Sequence, residues 1–422
     1  MYVRIYEGLR AAPVVLVVAL AALAAGCGDS SGGGGTASNQ DTKNAYTPAP
    51  QSGCGSYAAA LPKDPDGVLK ELPAKQRDAL RGLTAPDGVH SSPWVDFKAK
   101  SDSGWKIGIV YGALNNTGQI EGYNEIKKTL ERDKRVSKVT GAIATSSVDV
   151  PQQIQAINSM VNQGFDAIVL EALVPDSLAP PIDRAASKGI PVITQLGIVG
   201  TKNAINMGFN DYLLEARSLS TVVRLNKGEG NYLIVHGIPG TGPDVSNVNA
   251  LKAVMSRCPK AKVAGDAYGN YAAAQAKAET LKFLATHPQK IDGVAQSGVM
   301  TAGVMQAFEQ AGRPMPTVVD AGNRRGSMGY WRNHQDTYNG TGAGVNLGKL
   351  GAATADVALR TLSGEGPITS LMFAELPQFT PDNLDEWSDP TWKLTTPGSA
   401  PGPPVPFWTP EYANAFFKNP GN

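Results

Sequence analysis

The strongest constraint on the fold is a regular alternation of short apolar segments with amphipathic segments of helical period. In the first half of the chain, buried strands are predicted at 106–112, 136–145, 165–173 and 190–194, with helices between them. Strands separated by helices pair in parallel, and such a sheet is covered by helices on both faces. This half is therefore predicted to be an α/β unit built on a doubly wound parallel sheet.

The same alternation restarts after residue 211 and predicts a second unit of similar size. Its helices and strands alternate over 212–226, 230–237, 245–256, 261–269, 272–285, 291–298, 301–311 and 317–322, and a last helix follows at 346–362. We expect two doubly wound lobes joined by a hinge. Ligands bind outside the carboxyl ends of such sheets, so the two lobes are expected to share one crevice.

The first 60 residues predict export and a tether. Arg4 and Arg10 precede an apolar run over 13–25, which has the length of a signal-peptide core and is short for a membrane span. The run ends in Leu-Ala-Ala-Gly-Cys, which resembles the lipobox of bacterial lipoproteins and makes Cys27 the lipidation site; a plain secretory signal with an incidental cysteine is the alternative. Gly, Ser, Asn and Pro dominate the stretch that follows, which is typical of a flexible linker.

The whole chain is divided by these patterns into six parts. They are a signal peptide (1–26), a flexible tether (27–60), an N-terminal extension (61–103), lobe 1 (104–208 plus 345–366), lobe 2 (209–344 plus 367–387) and a Pro/aromatic-rich tail (388–422). One helix is predicted in the extension, over 68–83. The extension and the tail lie outside the two-lobe pattern, and the sequence assigns them no role.

Composition excludes several classes of function. With 38 basic and 37 acidic residues the formal net charge is +1, which gives no reason to expect a nucleic-acid partner. No metal site or cofactor is expected, since 3 cysteines and 4 histidines show no zinc-type spacing. No nucleophile motif stands beside His236, so no enzyme activity is expected. Cys54 and Cys258 can pair in an exported protein, and the sequence leaves that pairing open.

Polar residues at the strand ends of lobe 1 are the first candidates for ligand binding. Asn115 and Asn116 follow the first strand, and they suit hydroxyl or carbonyl groups unless they serve the turn; Thr117 is expected to cap the next helix. Glu171 ends the third strand and can take hydroxyls or an amine, or form a salt bridge instead. Gln195 ends the fourth strand beside apolar Leu196, and either binds ligand or bonds to the hinge.

Lobe 2 offers a second set of candidates. Thr241 and Asp244 lie in the glycine-rich turn 237–247, which either cradles ligand or is a tight turn with Asp244 as helix cap. The aromatic side chains that can stack on a ligand, or belong to the core or rim, are Tyr111, Tyr268 and Trp331.

Four stretches together resemble a known family. They are 107–128, 164–194, 286–312 and the segment FTPDNLDEW at 379–387. In order and spacing they resemble the type I periplasmic binding proteins that serve ABC importers, of the ribose-binding kind, over about residues 105–387. The resemblance implies a two-lobed clamshell that closes on a small polar solute. It also implies delivery of the solute to a permease with a cytoplasmic ATPase, which fits the lipid anchor predicted outside the cell membrane. A monomer is expected.

The resemblance adds three site residues and raises a question about the ligand. Gln296 and Ser297 stand where sugar binders have Gln-Asn-Asp, and Asn323 stands near the place of an aspartate. A monosaccharide is the family default. However, Gln195-Leu196 replaces the usual Asp-Arg pair, so a less hydroxylated aromatic or amide-bearing solute is an alternative. A ligand-sensing lipoprotein that presents its solute to a membrane receptor is the other alternative function.

Overall fold

The computed structural model describes residues 39–296, 298–320, 322–402 and 407–421. The predicted signal peptide, Cys27, the first part of the tether and Ser297 lie outside the described residues. In the part of the chain that is described, no helix has the length and apolar character needed to cross a membrane.

The first lobe is built on a six-stranded sheet in which every pair of neighbours is parallel. Its strands are β1 (Trp105–Tyr111), β2 (Val136–Ile143), β3 (Ala167–Glu171), β4 (Val192–Gln195), β5 (Ala204–Gly208) and β11 (Leu371–Phe373), in the spatial order β11-β5-β4-β3-β1-β2. The helices on its faces are α3 (Thr117–Arg132), α4 (Val150–Asn162), α5 (Ala179–Ser187) and α11 (Leu347–Leu362).

The second lobe repeats this plan with one antiparallel edge strand. Its strands are β6 (Glu229–His236), β7 (Lys260–Tyr268), β8 (Gly293–Gln296), β9 (Thr317–Asp320), β10 (Thr341–Ala343) and β12 (Gln378–Phe379), in the order β12-β10-β9-β8-β6-β7, with β12 antiparallel to β10. Its helices are α6 (Asp211–Leu225), α7 (Gly242–Met255), α8 (Ala273–Thr286), α9 (Thr301–Gln310), α10 (Arg325–Asn333) and α12 (Leu384–Trp387). The predicted two-lobed α/β fold class is confirmed.

The lobes are joined where the chain passes from one sheet to the other, after β5, after β10 and after β11. These crossings hold one another by backbone hydrogen bonds: Ala374 N donates to Gly208 O at 2.7 Å, and Gly344 N donates to Pro377 O at 2.8 Å. Segment 367–387 was expected in lobe 2. It instead contributes β11 to the first sheet and β12 to the second, so it forms part of the hinge.

Two local predictions about helices are wrong. The helix expected over 68–83 is broken into a 3₁₀ turn, Val68–Lys70, and the short α2 (Ala74–Asp78), because Pro73 has no N–H and disfavours a helical Leu72. The cap of α3 is Asn116 rather than Thr117: the Asn116 side chain accepts a hydrogen bond from Gln119 N at 2.9 Å.

The described part of the expected tether is packed on lobe 2. It contains α1 (Asn39–Ala45), and the Tyr46 hydroxyl donates to Gly340 O at 2.7 Å. A disulfide joins Cys54 to Cys258, with Cα atoms 4.5 Å apart. Residues 39–60 are therefore fixed to the second lobe rather than forming a flexible linker.

The extension and the end of the tail contact the first lobe, whereas the start of the tail packs on lobe 2, where Gln306 Nε2 donates to Leu394 O at 3.2 Å. In the extension, Trp94 Nε1 donates to Asn203 O at 2.8 Å, and His90 O accepts from Ser370 N at 2.9 Å. In the tail, the Tyr412 hydroxyl of α13 (Pro410–Asn414) donates to Phe373 O at 2.7 Å. The N-terminal residues therefore run from lobe 2, past the hinge, to lobe 1.

Loss of the Cys54–Cys258 disulfide should lower the stability of the protein. The bond closes a loop with a sequence separation of 204 residues, which restricts the unfolded chain. Reduction with dithiothreitol, or the double substitution Cys54→Ala/Cys258→Ala, is expected to cost about 2–4 kcal/mol of unfolding free energy. Denaturant melts followed by circular dichroism measure this cost. The double variant serves as control, because its stability should not respond to dithiothreitol; an unchanged wild-type midpoint on reduction would contradict the role given to the bond.

Candidate functional site

A cavity that is partly open to solvent lies between the lobes, at the carboxyl ends of both sheets. We call it the inter-lobe cavity. Residues from lobe 1, the hinge and lobe 2 line it: Asn116, Gln119, Glu171, Leu173, Leu196, Phe209, Asp211, Pro243, Tyr271, Gly298, Val299, Val345 and Leu347. Most of these side chains are apolar, and the polar ones are two carboxyl groups, two amides and one phenol.

Glu171, the last residue of β3, is the buried acid of lobe 1. Its Oε2 accepts from Gly112 N at 2.9 Å, and its Oε1 accepts from Gln119 Nε2 at 3.3 Å. Burial raises the pKa of Glu171 to about 7, and the two hydrogen bonds oppose that shift. Position 112 requires glycine, since a Cβ there would lie 2.7 Å from Glu171 Oε2.

Asp211 is the acid on the other side of the cavity. It is the first residue of α6, whose cap is Asn210. Within the described part of the chain, the Asp211 carboxylate has no hydrogen-bond partner, so its oxygens are available to a ligand. Burial raises the pKa of Asp211 to about 7. One turn later, burial and the neighbouring Asp211 raise the pKa of Glu215 well above its usual range.

Two residues with left-handed backbone shape the apolar walls. Leu196 has φ 68° and Tyr271 has φ 60°, conformations that cost energy for residues other than glycine. The Tyr271 ring packs on Gly237, where a Cβ would lie 2.1 Å from the ring. Its hydroxyl is 2.6 Å from Thr241 Oγ1 and shares a hydrogen bond with it. Strained conformations of this kind are retained mainly at functional sites.

The two lobes are in direct contact around the cavity. Gly242 N, at the start of α7, donates to Leu173 O of lobe 1 at 3.1 Å. Arg324, which is buried, donates from Nη1 to Thr117 Oγ1 at 3.0 Å. The tail adds a further contact, because the Ser399 hydroxyl donates to Glu121 Oε2 at 2.7 Å. The structure therefore shows a closed cleft with the tail crossing from lobe 2 to lobe 1.

Three of the residues predicted for lobe 1 lie in or beside the cavity. Glu171 and Asn116 line it. Asn116 Nδ2 also donates to Gln119 Oε1 at 3.1 Å, which orients the Gln119 amide. Asn115 lies next to this group but outside the lining, and its Nδ2 donates to Ser147 Oγ at 3.4 Å.

Gln195 lies outside the cavity, and the protein occupies both ends of its amide. Its Nε2 donates to the Tyr111 hydroxyl at 2.6 Å, and its Oε1 accepts from Thr354 Oγ1 at 3.1 Å. The side chain therefore ties β4 to β1 and α11. The next residue, Leu196, is the one that lines the cavity.

The candidate side chains of lobe 2 form hydrogen bonds with other parts of the protein instead of lining the cavity. Thr241 positions Tyr271, and Asp244 accepts from Gly237 N at 2.8 Å. Gln296 Nε2 donates to Thr301 Oγ1 and to Val319 O, each at 2.8 Å. Asn323 Nδ2 donates to Ala400 O at 2.7 Å and so anchors the tail. None of these four side chains lines the inter-lobe cavity.

The three predicted stacking residues also lie elsewhere. Tyr111 is completely buried beside Gln195. Trp331 is buried in lobe 2, where its ring stacks on Tyr46. Tyr268 is 48% exposed and stacks on His236. The aromatic side chains that do line the cavity are Phe209 and Tyr271.

Asp211, Tyr271 and Gln119 were missed by the sequence analysis. Asp211 lies three residues after the end of β5, and Tyr271 lies three residues after the end of β7. Their positions just after strand ends could therefore have marked them as candidates. Strand β5 was not recognised because AINMG shows neither alternation nor a continuous apolar run. Gln119 lies in the first turn of α3 and carries no motif.

The model of the family described as periplasmic binding protein domain matches residues 104–366, which is more than half of the chain. The chain belongs to this family. The extension and the tail lie outside the matched residues.

Individual relatives agree with the family and the fold. The xylitol-binding protein of Mycolicibacterium smegmatis is 28% identical over 243 residues, which are 56% of this chain and 67% of that protein. A solute binding protein of an ABC transporter from Thermobispora bispora superposes with a TM-score of 0.61 at 20% identity, over 67% of this chain and 87% of that one. Another ABC transporter solute binding protein, from Bacillus halodurans and with bound myo-inositol, superposes with a TM-score of 0.61 at 17% identity. The match covers 68% of this chain and 98% of that one.

The two cavity acids of this periplasmic binding protein should make its stability fall as pH rises. Both folded-state pKa values, about 7, exceed the ordinary values of 4.5 and 3.8. At pH values between the ordinary pKa values and the folded-state pKa values, the folded state binds more protons than the unfolded state. The unfolding free energy therefore decreases as the pH rises toward 7. The variant Glu171→Gln/Asp211→Asn should show a smaller decrease, with a residual slope from Glu215.

Thermal melts of the ligand-free protein between pH 5 and 8 measure this effect. Asp102→Asn, at an exposed acid far from the cavity, is the matched control and should keep the wild-type slope. An identical pH profile for the double variant and the wild type would show that the cavity acids are ionised at their ordinary pKa values.

Proposed function

We propose that this protein is the extracytoplasmic solute-binding lipoprotein of an ABC importer, and that its inter-lobe cavity takes an uncharged, polyhydroxylated solute of the monosaccharide or polyol class. One observation carries the choice of solute. Glu171, Asp211, Asn116 and Gln119 converge on a cavity whose remaining walls are mostly apolar, and none of the described residues lining it carries a positive charge.

The chemistry of these groups fits hydroxyls. A carboxylate accepts hydrogen bonds from two or more hydroxyl groups, and an amide both donates and accepts. The apolar walls, including Leu173, Val299 and Leu347, suit the C–H face of a sugar or polyol. A phosphorylated or carboxylated solute would meet two acids with no opposing cation among the described lining residues, so it is disfavoured.

The relatives support the same class of solute. The curated relative is named for xylitol, and two of the superposed solute binding proteins are described with bound myo-inositol and D-allose. All three compounds are small, uncharged and rich in hydroxyls. This agreement favours a sugar or polyol over the aromatic or amide-bearing solute considered above.

Binding without covalent chemistry is part of the proposal. His236, the one base singled out in the sequence, lies outside the inter-lobe cavity, with its Nε2 2.9 Å from Asp266 Oδ1 and its Nδ1 3.5 Å from Asp244 Oδ1. Both neighbours are carboxylates, not a hydroxyl or thiol that a histidine could activate as a nucleophile. The members of this family are solute-binding proteins of transport systems, and closure of the lobes on the solute is the only step that the site requires.

Ligand screening tests the choice of solute. Thermal-shift assays against sugars, polyols, nucleosides and aromatic acids, followed by calorimetry, should give binding only with sugars or polyols. Glu171→Gln and Asp211→Asn should each weaken that binding by about tenfold to a hundredfold, as expected for loss of a hydrogen bond to a charged group. Asp266→Asn, at an exposed acid of lobe 2, is the control and should keep wild-type affinity. A shift with nucleosides or aromatic acids alone would refute the proposal.

We further propose that the protein acts as a monomer, is anchored by a lipid on Cys27 and hands its solute to a permease. The support is the apolar run at 13–25, which ends in small residues before Cys27. In cell fractionation, Cys27→Ala should move the protein from the membrane fraction to the soluble fraction with unchanged ligand affinity. Cys54→Ala/Cys258→Ala should stay with the membrane. Retention of Cys27→Ala in the membrane fraction would contradict the anchor.

A further inference from the structure

A second cavity lies directly beside the first. It is partly open to solvent, and we call it the outer cavity. Leu196, Phe209 and Asp211 line both cavities, so these three residues form the wall between them. The Asp211 carboxylate, which has no partner among the described residues, can therefore serve a ligand on either side.

The N-terminal extension forms part of the outer cavity. Leu83, Thr84 and Pro86 line it, although they lie outside the residues that match the family. This part of the extension is held at the hinge, since Asn210 Nδ2 donates to both Ala79 O and Arg81 O at 2.8 Å. The same Asn210 caps α6, the helix that begins with Asp211. One side chain therefore fixes the extension relative to the acid that the cavities share.

Close packing confirms that this placement is specific. Gly82 lies against the Tyr212 ring, where a Cβ would come within 2.2 Å of a ring carbon. Gly82 N also donates to Ala60 O at 2.7 Å, and the Tyr212 hydroxyl donates to Ala58 O. Residues 82–86 therefore sit in a defined position over the outer cavity, which is what a binding surface requires.

The outer cavity has the chemical character of the inner one. It combines two carboxylates, Asp176 and Asp211, and two hydroxyls, Thr84 and Ser246, with apolar side chains such as Phe373. None of its described lining residues carries a positive charge. Carboxylates and hydroxyls beside apolar surface suit a second sugar-like ring for the same reasons that apply to the first.

The wall between the cavities lies where the lobes touch. Gly242 N of lobe 2, which lines the outer cavity, donates to the carbonyl oxygen of Leu173 of lobe 1, which lines the inner one, at 3.1 Å. Gly197 itself has no room for a side chain, since a Cβ would lie 1.9 Å from Ala172 O. Opening of the lobes about the hinge breaks the contact between Gly242 and Leu173 and joins the two cavities. A two-unit ligand bound across both cavities would pass beside Gly242 and Leu173 and keep the lobes slightly further apart than in this closed structure.

From these observations we propose that the outer cavity is a second subsite, so that besides single sugars or polyols the protein binds a disaccharide or glycoside whose second unit contacts the N-terminal extension. This proposal rests on the proposed function and extends it. The inner cavity holds one sugar or polyol unit, Asp211 lies between the two units, and residues 83–86 contribute to specificity from outside the family domain.

Calorimetry with matched pairs of solutes tests the second subsite. The pairs are sorbitol with maltitol, glucose with maltose, and xylose with xylobiose, each measured on the full chain. For at least one pair the two-unit solute should bind at least about tenfold tighter than the one-unit solute. In Thr84→Trp and in Ser246→Trp, which fill the outer cavity, that advantage should disappear while affinity for the one-unit solute stays within about twofold.

Lys252→Trp, on the exposed side of α7, is the matched control and should behave as wild type. Thermal melts confirm that each tryptophan variant is folded, and the two variants approach the cavity from different segments of the chain. One-unit binding without any gain from a second unit would overturn the subsite alone. Equal weakening of one-unit and two-unit solutes by both variants would overturn it as well. Failure of every sugar and polyol to bind would instead overturn the proposed function.

Discussion

The buried carboxyl group of Glu171 is the interaction on which the binding site depends. Its two oxygens join the end of β1, through Gly112 N, to the first turn of α3, through Gln119. Gln119 in turn is held by Asn116, the cap of that helix. Burying a carboxyl group is costly unless such partners are present. Because the protein supplies them before ligand arrives, the polar side of the cavity is ordered in advance, and binding loses less conformational entropy.

The segments before and after the family domain each contact both lobes of the clamshell. The N-terminal residues start on lobe 2, where the disulfide to Cys258 holds them, pass the hinge at Asn210 and end on lobe 1 at β1. The tail also crosses from lobe 2, where Asn323 donates to Ala400 O, to lobe 1, where Glu121 accepts from Ser399. The hydrogen bond between Ser399 and Glu121 therefore ties the tail to both lobes in this closed form.

Much of the fold could be predicted from the sequence, because periodic apolar patterns identify buried strands and helix faces locally. The side chains that enter the cavity could not be predicted in the same way. Gln195 ends its strand as expected, but its amide is occupied by Tyr111 and by Thr354, which lies on a helix more than a hundred residues later in the chain. Asp211 was overlooked because β5 lacks a clear pattern. The position of the extension depends on tertiary contacts with Asn210 and Tyr212, which no local pattern indicates.

The most direct test of the account is a crystal structure of the protein grown with the sugar or polyol that binds best in solution. The account predicts that the solute lies between the lobes, with hydroxyl groups within hydrogen-bond distance of the carboxyl groups of Glu171 and Asp211 and with a C–H face on the apolar walls. A solute bound elsewhere, or bound between the lobes without contact to either acid, would contradict it.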